Sequence, residues 1–108
     1  MTDIIFLYIT VSNRAEADKI AHALVDEKLA ACVNIIPGMT SVYRWQGKRE
    51  EAQEIVLVVK TRAELFDKCA ARVKGLHSAS CPCIVALPLA AGTLDFLDWI
   101  RKSTQDSV

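Results

Sequence analysis

The hydrophobic pattern of the first thirty residues predicts a buried strand followed by an amphipathic helix. Ile4–Val11 is almost continuously apolar and rich in β-branched residues, which is typical of a strand covered on both faces. Asn13 and Glu16, three residues apart, have the spacing of a reciprocal helix cap. Apolar residues then recur at helical spacing as far as about Lys28, namely Ala17, Ile20, Ala21, Leu24 and Val25.

A long β-hairpin is predicted in the middle of the chain. Strand-forming residues fill 31–36 and 40–45, and Pro37-Gly38 between them predicts a bend or a bulge. Gln46-Gly47 then separates this arm from a second one that reaches Lys60, as expected of a two-residue hairpin turn. The second arm is polar near the turn and apolar at its far end, so the hairpin should change environment along its length.

The second half of the chain predicts a helix, a strand and a short last helix. Residues 65–76 have helical apolar spacing, Ile84–Leu87 is a short strand former, and Gly92-Thr93 opens the last helix. The order is that of an α+β, ferredoxin-like βαββαβ sandwich with a long β-hairpin and a C-terminal helix, in which both main helices cover one face of the sheet. Because the strands are apolar on both faces, a second subunit is expected to cover the other face.

The composition narrows the class of protein. A chain of 108 residues closes one core, so residues 1–108 are predicted to form a single domain. Thirteen basic and thirteen acidic residues balance, which removes the cationic field that a nucleic-acid partner requires. With no run long enough to span a bilayer and no signal peptide, no membrane partner is predicted and the chain is expected to be cytoplasmic. The hydrophobic fraction of 52% exceeds what a small monomer needs and favours an oligomer.

The four cysteines are the strongest candidates in this sequence for a chemical role. In a reducing compartment they are free thiols or metal ligands. Cys81 and Cys83 would point to one side of an extended segment, about 7 Å apart at the backbone. Two thiolates so placed can converge on a soft ion such as Cu(I) or Zn(II), and His77 is close enough in sequence to join them. The alternative is that both cysteines are small apolar residues at the start of a strand.

Residues 28–47, KLAACVNIIPGMTSVYRWQG, strongly resemble the signature segment of the CutA family, the divalent-cation tolerance proteins. The resemblance continues at 60–62, 76–77, 84–88 and 97–100, and so covers nearly the whole chain. It implies a ferredoxin-like subunit, a homotrimer related in build to PII signalling proteins, and a role in copper and divalent-metal tolerance. It also implies a copper contact at Cys32, for which a core position in an apolar strand is the alternative.

The loop before the last strand departs from the family pattern. The family carries His-Pro-Tyr and Pro-Glu where this chain has His77-Ser78-Ala79 and Pro82-Cys83. The resemblance therefore implies that a family cleft between subunits would here have to work with His77, Cys83 and the neighbouring Cys81.

Aromatic and basic residues of the hairpin are the remaining candidates, at an inter-subunit cleft or interface. Tyr43 and Trp45 share a strand face, which suits a subunit contact or stacking on a ligand. Lys60 and Arg62 would bind an anion together with His77, or lie at a solvated strand end.

The sequence carries no motif of an enzyme. It has no phosphate-binding loop, no HExxH or EF-hand pattern and no supported Ser/His/Asp set, so no catalysis and no required cofactor is predicted. The predicted function is copper or other soft-metal binding and response to metal ions. The alternative is a PII-like trimeric sensor that binds a small molecule between subunits.

Overall fold

The computed structural model describes residues 2–105, and its elements follow the predicted order. They are β1 (Ile4–Val11), α1 (Arg14–Asp26), β2 (Cys32–Trp45), β3 (Lys48–Arg62), α2 (Phe66–Leu76), β4 (Ile84–Pro88) and α3 (Leu94–Ser103). A single 3-10 turn, Ala63–Leu65, joins β3 to α2. Residue 1 and residues 106–108 of the predicted single domain lie outside the described part. The α+β, ferredoxin-like prediction is confirmed.

The four strands form one antiparallel sheet in the order β2-β3-β1-β4. β1 pairs with β3 along its whole length, from Ile4 opposite Arg62 to Val11 opposite Ile55. The hairpin therefore continues past the end of β1, and its outer part, from Met39 to Glu54, is a two-stranded ribbon. This projecting ribbon makes the molecule elongated, with extents of 48 × 27 × 23 Å.

The main core lies between one face of the sheet and the two longer helices. Alternate residues of β1 and β3 point into it and meet the apolar stripes of α1 and α2, as period-two and period-3.6 patterns require. Its fully buried members include Leu7, Ile9, Val11, Ala17, Ile20, Leu24, Leu57, Val59, Cys69 and Val73. Among the helices of residues 2–105, none combines the length and apolarity needed to cross a bilayer.

The opposite face of the sheet is covered only at one end, by α3. Leu97 and Ile100 of this helix bury Ile4 in a second, smaller cluster. Arg101 also links α3 to the residue before β1, since its Nε donates to both carboxylate oxygens of Asp3 at 3.0 Å. The rest of this face carries exposed apolar side chains, Ile36, Val85 and Leu87 among them.

The hairpin turn and the bulge both occur where predicted. Gln46 and Gly47 have φ of 50° and 79°, and two consecutive positive φ values define the turn whose twist matches the strands. At the bulge, Ile36 pairs with Val56 but Met39 pairs with Glu54, so β2 gains one residue relative to β3. Pro37 and Gly38, the latter at φ 82°, belong to one continuous strand rather than separating two strands.

One helix end differs from prediction. α1 ends at Asp26 rather than near Lys28, because Lys28 takes a left-handed conformation with φ 59°. The amides of Lys28 and Leu29 donate to the carbonyls of Val25 and Leu24, the bonding pattern that usually places glycine at this position. At α3, Thr93 is the N-cap residue, yet its side chain makes no capping hydrogen bond.

Candidate functional site

An open cleft of about 380 Å³ lies between the hairpin and the loop that connects α2 to β4. The hairpin forms one wall and residues 77–83 form the other, while the end of β1 forms the floor. The cleft is lined by Thr10, Ser12, Tyr43, Trp45, Glu54, His77, Ser78, Ala79, Ser80, Cys81, Pro82 and Cys83. Most of the residues singled out by sequence therefore meet at one place.

The bulge decides which hairpin side chains face this cleft. Before the bulge, even-numbered residues of β2 pair with even-numbered residues of β3. After the bulge, odd-numbered residues of β2 pair with even-numbered residues of β3. Because of this one-residue shift, Tyr43 and Trp45 share a face with the even-numbered residues of β3. Without the bulge they would point to the opposite face. Both line the cleft, and in the single chain they are 44% and 47% exposed.

His77 is held by both of its ring nitrogens. Its Nδ1 accepts from the Ala79 amide at 3.0 Å, so Nε2 carries the proton and donates to the Thr10 carbonyl at 2.8 Å. The side chain is only 4% exposed. His77 therefore fixes the loop to the end of β1, and service as a metal ligand would require one of these two bonds to break.

Glu16 holds the next residue of the same loop. Its Oε1 accepts from the Ser78 amide, and its Oε2 accepts from the Ser78 hydroxyl at 3.0 Å. The predicted reciprocal cap is thus half right: Asn13 Oδ1 accepts from the Glu16 amide at 2.9 Å, but the Glu16 carboxylate binds the loop instead of returning to Asn13. The start of α1 is therefore bonded to a loop that is distant in sequence.

Cys81 and Cys83 are exposed thiols on the loop wall. Partial desolvation within the cleft and, secondarily, the neighbouring Glu54 carboxylate raise the pKa of the Cys83 thiol, so it is protonated at neutral pH. A metal ion would have to displace this proton before the sulfur could bind it. Cys69, in contrast, is fully buried in α2, donates to the Leu29 carbonyl at 3.2 Å, and has its pKa raised by burial to about 11.

Cys32 lies away from the other candidate ligands. It begins β2, which is one edge strand of the sheet, whereas Cys83 directly precedes β4, the other edge strand. Three strand spacings separate the two edges, roughly 14 Å. Cys32 is partly buried, and its sulfur accepts from Asn34 Nδ2 at 3.7 Å. One chain does not bring Cys32 to the cleft.

Lys60 and Arg62 are also distant from the cleft. Arg62 pairs with Ile4, at the opposite end of β1 from the Thr10 carbonyl that binds His77. Its guanidinium donates to the hydroxyl and carbonyl of Thr104 at 2.9 Å each, and it pairs with Glu64. Lys60 Nζ lies 5.4 Å from the ring centroids of both Phe6 and Phe96. The structure does not assemble these two cations with His77 into one anion site.

Several residues of the cleft carried no signal in the sequence. Glu54 lies in a run of polar hairpin residues, and Thr10 and Ser12 end a strand, so none stands out by composition or spacing. Glu16 was visible as a helix-cap residue, but its partner Ser78 is 62 residues away. Only the fold brings such pairs together.

Comparison with known proteins identifies the family. The model of the CutA1 divalent ion tolerance protein family matches residues 5–103. The divalent-cation tolerance protein CutA of Thermus thermophilus is 55% identical over 96 residues, which cover 89% of this chain and 93% of that protein. The chloroplastic protein CutA 1 of rice is 43% identical and extends further, since the match covers 95% of this chain but 58% of the rice protein.

Solved structures agree with the sequence match. The divalent cation tolerance protein of Thermus thermophilus has a TM-score of 0.92 at 52% identity, covering 94% of this chain and 99% of that one. CutA from Xylella fastidiosa has a TM-score of 0.94 at 36% identity, covering 96% and 100%. These matches do not favour the alternative of a PII-like small-molecule sensor. The chain belongs to the CutA1 divalent ion tolerance protein family.

Proposed function

We propose that this protein is a non-enzymatic metal-response protein that binds soft metal ions, copper foremost, at the cleft that carries Cys81 and Cys83. The observation that carries this function is the family match across residues 5–103, to proteins named for tolerance of divalent cations. The cytoplasm, where thiols stay reduced, is the proposed compartment.

The electrostatics of the cleft support a cationic ligand. Among its described lining residues Glu54 is the charged group, and none is lysine or arginine. Neutral His77 and the polar hydroxyls add no positive field. Such a lining attracts cations and gives an anionic metabolite no partner charge. The two thiols then favour soft ions over Mg²⁺ or Ca²⁺, which prefer oxygen ligands.

The number of ligands limits what one chain can hold. Within residues 2–105 no group of three or more His, Cys, Asp or Glu side chains is placed to hold a metal ion. A structural zinc site needs four ligands, so two thiolates of one chain suit Cu(I) better than Zn(II). Any further ligand would come from a neighbouring copy, and Cys32 is a candidate for that role.

The proposed assembly is a homotrimer. It is supported by the apolar surface that the single chain leaves exposed on the face opposite α1 and α2 and on α3. The exposed side chains there are Ile36, Val85, Leu87, Leu94, Phe96 and Trp99. Patches of this kind mark interaction surfaces. Tyr43 and Trp45, on the projecting ribbon, would add aromatic contacts of the kind that interfaces favour.

Metal competition tests the proposed function. The Cu(I) affinity of the purified protein is measured against a chromophoric chelator, and the double variant Cys81→Ser/Cys83→Ser should lose it. Cys69→Ser is the control, because Cys69 is buried in the core and bonded to Leu29. Excess Mg²⁺ should not compete, and affinity should fall as the pH is lowered and the thiols protonate. Unchanged affinity in the double variant would refute the cleft as the metal site.

A further inference from the structure

Glu16 is a buried carboxylate that lies outside the cleft yet is bonded to its wall. The residue is only 8% exposed, and both of its carboxylate oxygens accept from Ser78. Among the described residues, Glu16 is the charged side chain of α1 that forms hydrogen bonds with the 77–83 loop. This bond therefore joins the helix to the loop that carries Cys81 and Cys83.

The position of Glu16 explains how a carboxylate can be buried there. It is the third residue of α1, where unpaired backbone amides and the helix dipole favour a negative charge. Two donors from Ser78 complete its coordination with charge-assisted hydrogen bonds. His77 Nδ1 lies 3.8 Å from Oε1, but it accepts from the Ala79 amide and donates no bond to the carboxylate. A buried charge satisfied in this way resists movement, because displacement would leave it unpaired.

The consequence is a loop with two fixed ends. Its first residues are held by Thr10 through His77, by Glu16 through Ser78, and by the internal bond from Ala79 to His77. Its other end is held where Ile84 enters the sheet opposite Ile9. The four residues between these anchors include both exposed thiols.

We infer that Glu16 is a positioning residue for the metal-binding loop: it keeps Cys81 and Cys83 in the cleft wall before any metal arrives. The inference rests on the proposed function for the identity of the ligand. Holding the loop in advance removes the need to order it on binding, which strengthens affinity without any contact to the ion. Groups that bond directly to metal ligands typically change metal affinity by about tenfold or more when lost, and Glu16, which acts on the ligands through Ser78, is expected at the lower end of that range.

The test combines a metal measurement with one that needs no metal. Glu16→Gln retains one oxygen for the Ser78 amide but loses the charge, and Ser78→Ala removes the hydroxyl donor alone. We expect Glu16→Gln to bind Cu(I) about tenfold more weakly than the unaltered protein, with a smaller loss in Ser78→Ala. In the metal-free protein, amide hydrogen exchange at Ser78 should be faster in Glu16→Gln.

Ile20→Val is the matched control, since it weakens the buried side of the same helix without touching the loop. It should leave both Cu(I) affinity and exchange at Ser78 unchanged. Unaltered Cu(I) affinity in Glu16→Gln, or the same loss in Ile20→Val, would overturn the inference. If the unaltered protein itself binds no Cu(I), the proposed function fails instead, and exchange at Ser78 alone then decides whether Glu16 holds the loop.

Discussion

At the scale of single residues, the surroundings of Cys83, including Glu54, determine the protonation state of its thiol. Partial desolvation in the cleft raises the pKa of Cys83, and the Glu54 carboxylate raises it further by disfavouring a second negative charge beside it. The thiolate is the form that reacts with electrophiles and binds metals. The cleft therefore favours the protonated, less reactive form of the Cys83 thiol.

Glu54→Gln should make Cys83 more reactive. Removing the carboxylate charge lowers the pKa of the thiol, so more thiolate is present at any pH below that pKa, and alkylation by iodoacetamide speeds up. The pH profile of alkylation at Cys83, followed by mass spectrometry, should shift to lower pH. Glu50→Gln, the same change at an exposed hairpin position, is the control. An identical profile in Glu54→Gln would contradict the role given to this carboxylate.

At the scale of elements, periodicity predicted what depends on neighbouring residues and missed what depends on distant ones. The bounds of β1 and the two-residue turn were predictable, because a nearly continuous run of apolar, β-branched residues and a glycine at position 47 are visible locally in the sequence. The end of α1 was not, because Lys28 occupies a position where glycine is the usual signal. The partner of Glu16 was not either, since nothing local distinguishes a cap carboxylate from one that binds a loop.

Replacing glycine by alanine should have opposite effects on stability at Gly38, in the bulge, and at Gly75, in a helix. Gly38 has φ 82° and Gly75 lies in α2, and an added Cβ would meet nothing within 4 Å at either site. Gly38→Ala should destabilise the chain by about 1 kcal/mol, because L-residues disfavour positive φ. Gly75→Ala should stabilise it through helix propensity, by at most about 0.5–1 kcal/mol because Gly75 lies in the last turn of α2. Urea denaturation at fixed protein concentration measures both, and a loss of stability at both positions would refute this account.

The docking of α3 should depend on pH through Asp3. Hydrogen bonding from Arg101 lowers the pKa of Asp3 in the folded chain. The pair therefore stabilises the fold fully above the ordinary aspartate pKa, about 4, and its contribution is lost as the pH falls through the lowered value. Asp3→Asn should be less stable than the unaltered protein at pH 7 and nearly equal to it once the pH lies below the lowered pKa of Asp3. Urea midpoints across this range measure the difference, and Asp26→Asn, at the far end of α1, controls for net charge.

At the scale of the whole molecule, the single chain leaves most of the sheet face opposite α1 and α2 uncovered. α3 covers only the end at Ile4, while Val85 and Leu87 on β4 remain 47% and 49% exposed. The composition predicted such a surplus, and the strand pattern predicted that it lies on the face away from the two main helices; which residues of β2 share that face was not predicted, because the bulge reverses them. The same bulge brings Tyr43 and Trp45 to the cleft. The composition of this exposed face and the lining of the cleft therefore both depend on one irregularity in the hairpin.

Leu87→Asp tests whether this face is the contact between copies. Leu87 pairs with Phe6 on the side away from α1 and α2, so a carboxylate there would be buried without a partner in a trimer but solvated in a single chain. The variant should sediment at micromolar concentration as a chain of 11.9 kDa while keeping its far-ultraviolet circular dichroism. Val25→Asp is the matched control: its side chain is 41% exposed on α1, and the trimer should survive. If the unaltered protein sediments as the proposed trimer and Leu87→Asp sediments with it, another surface holds the copies together.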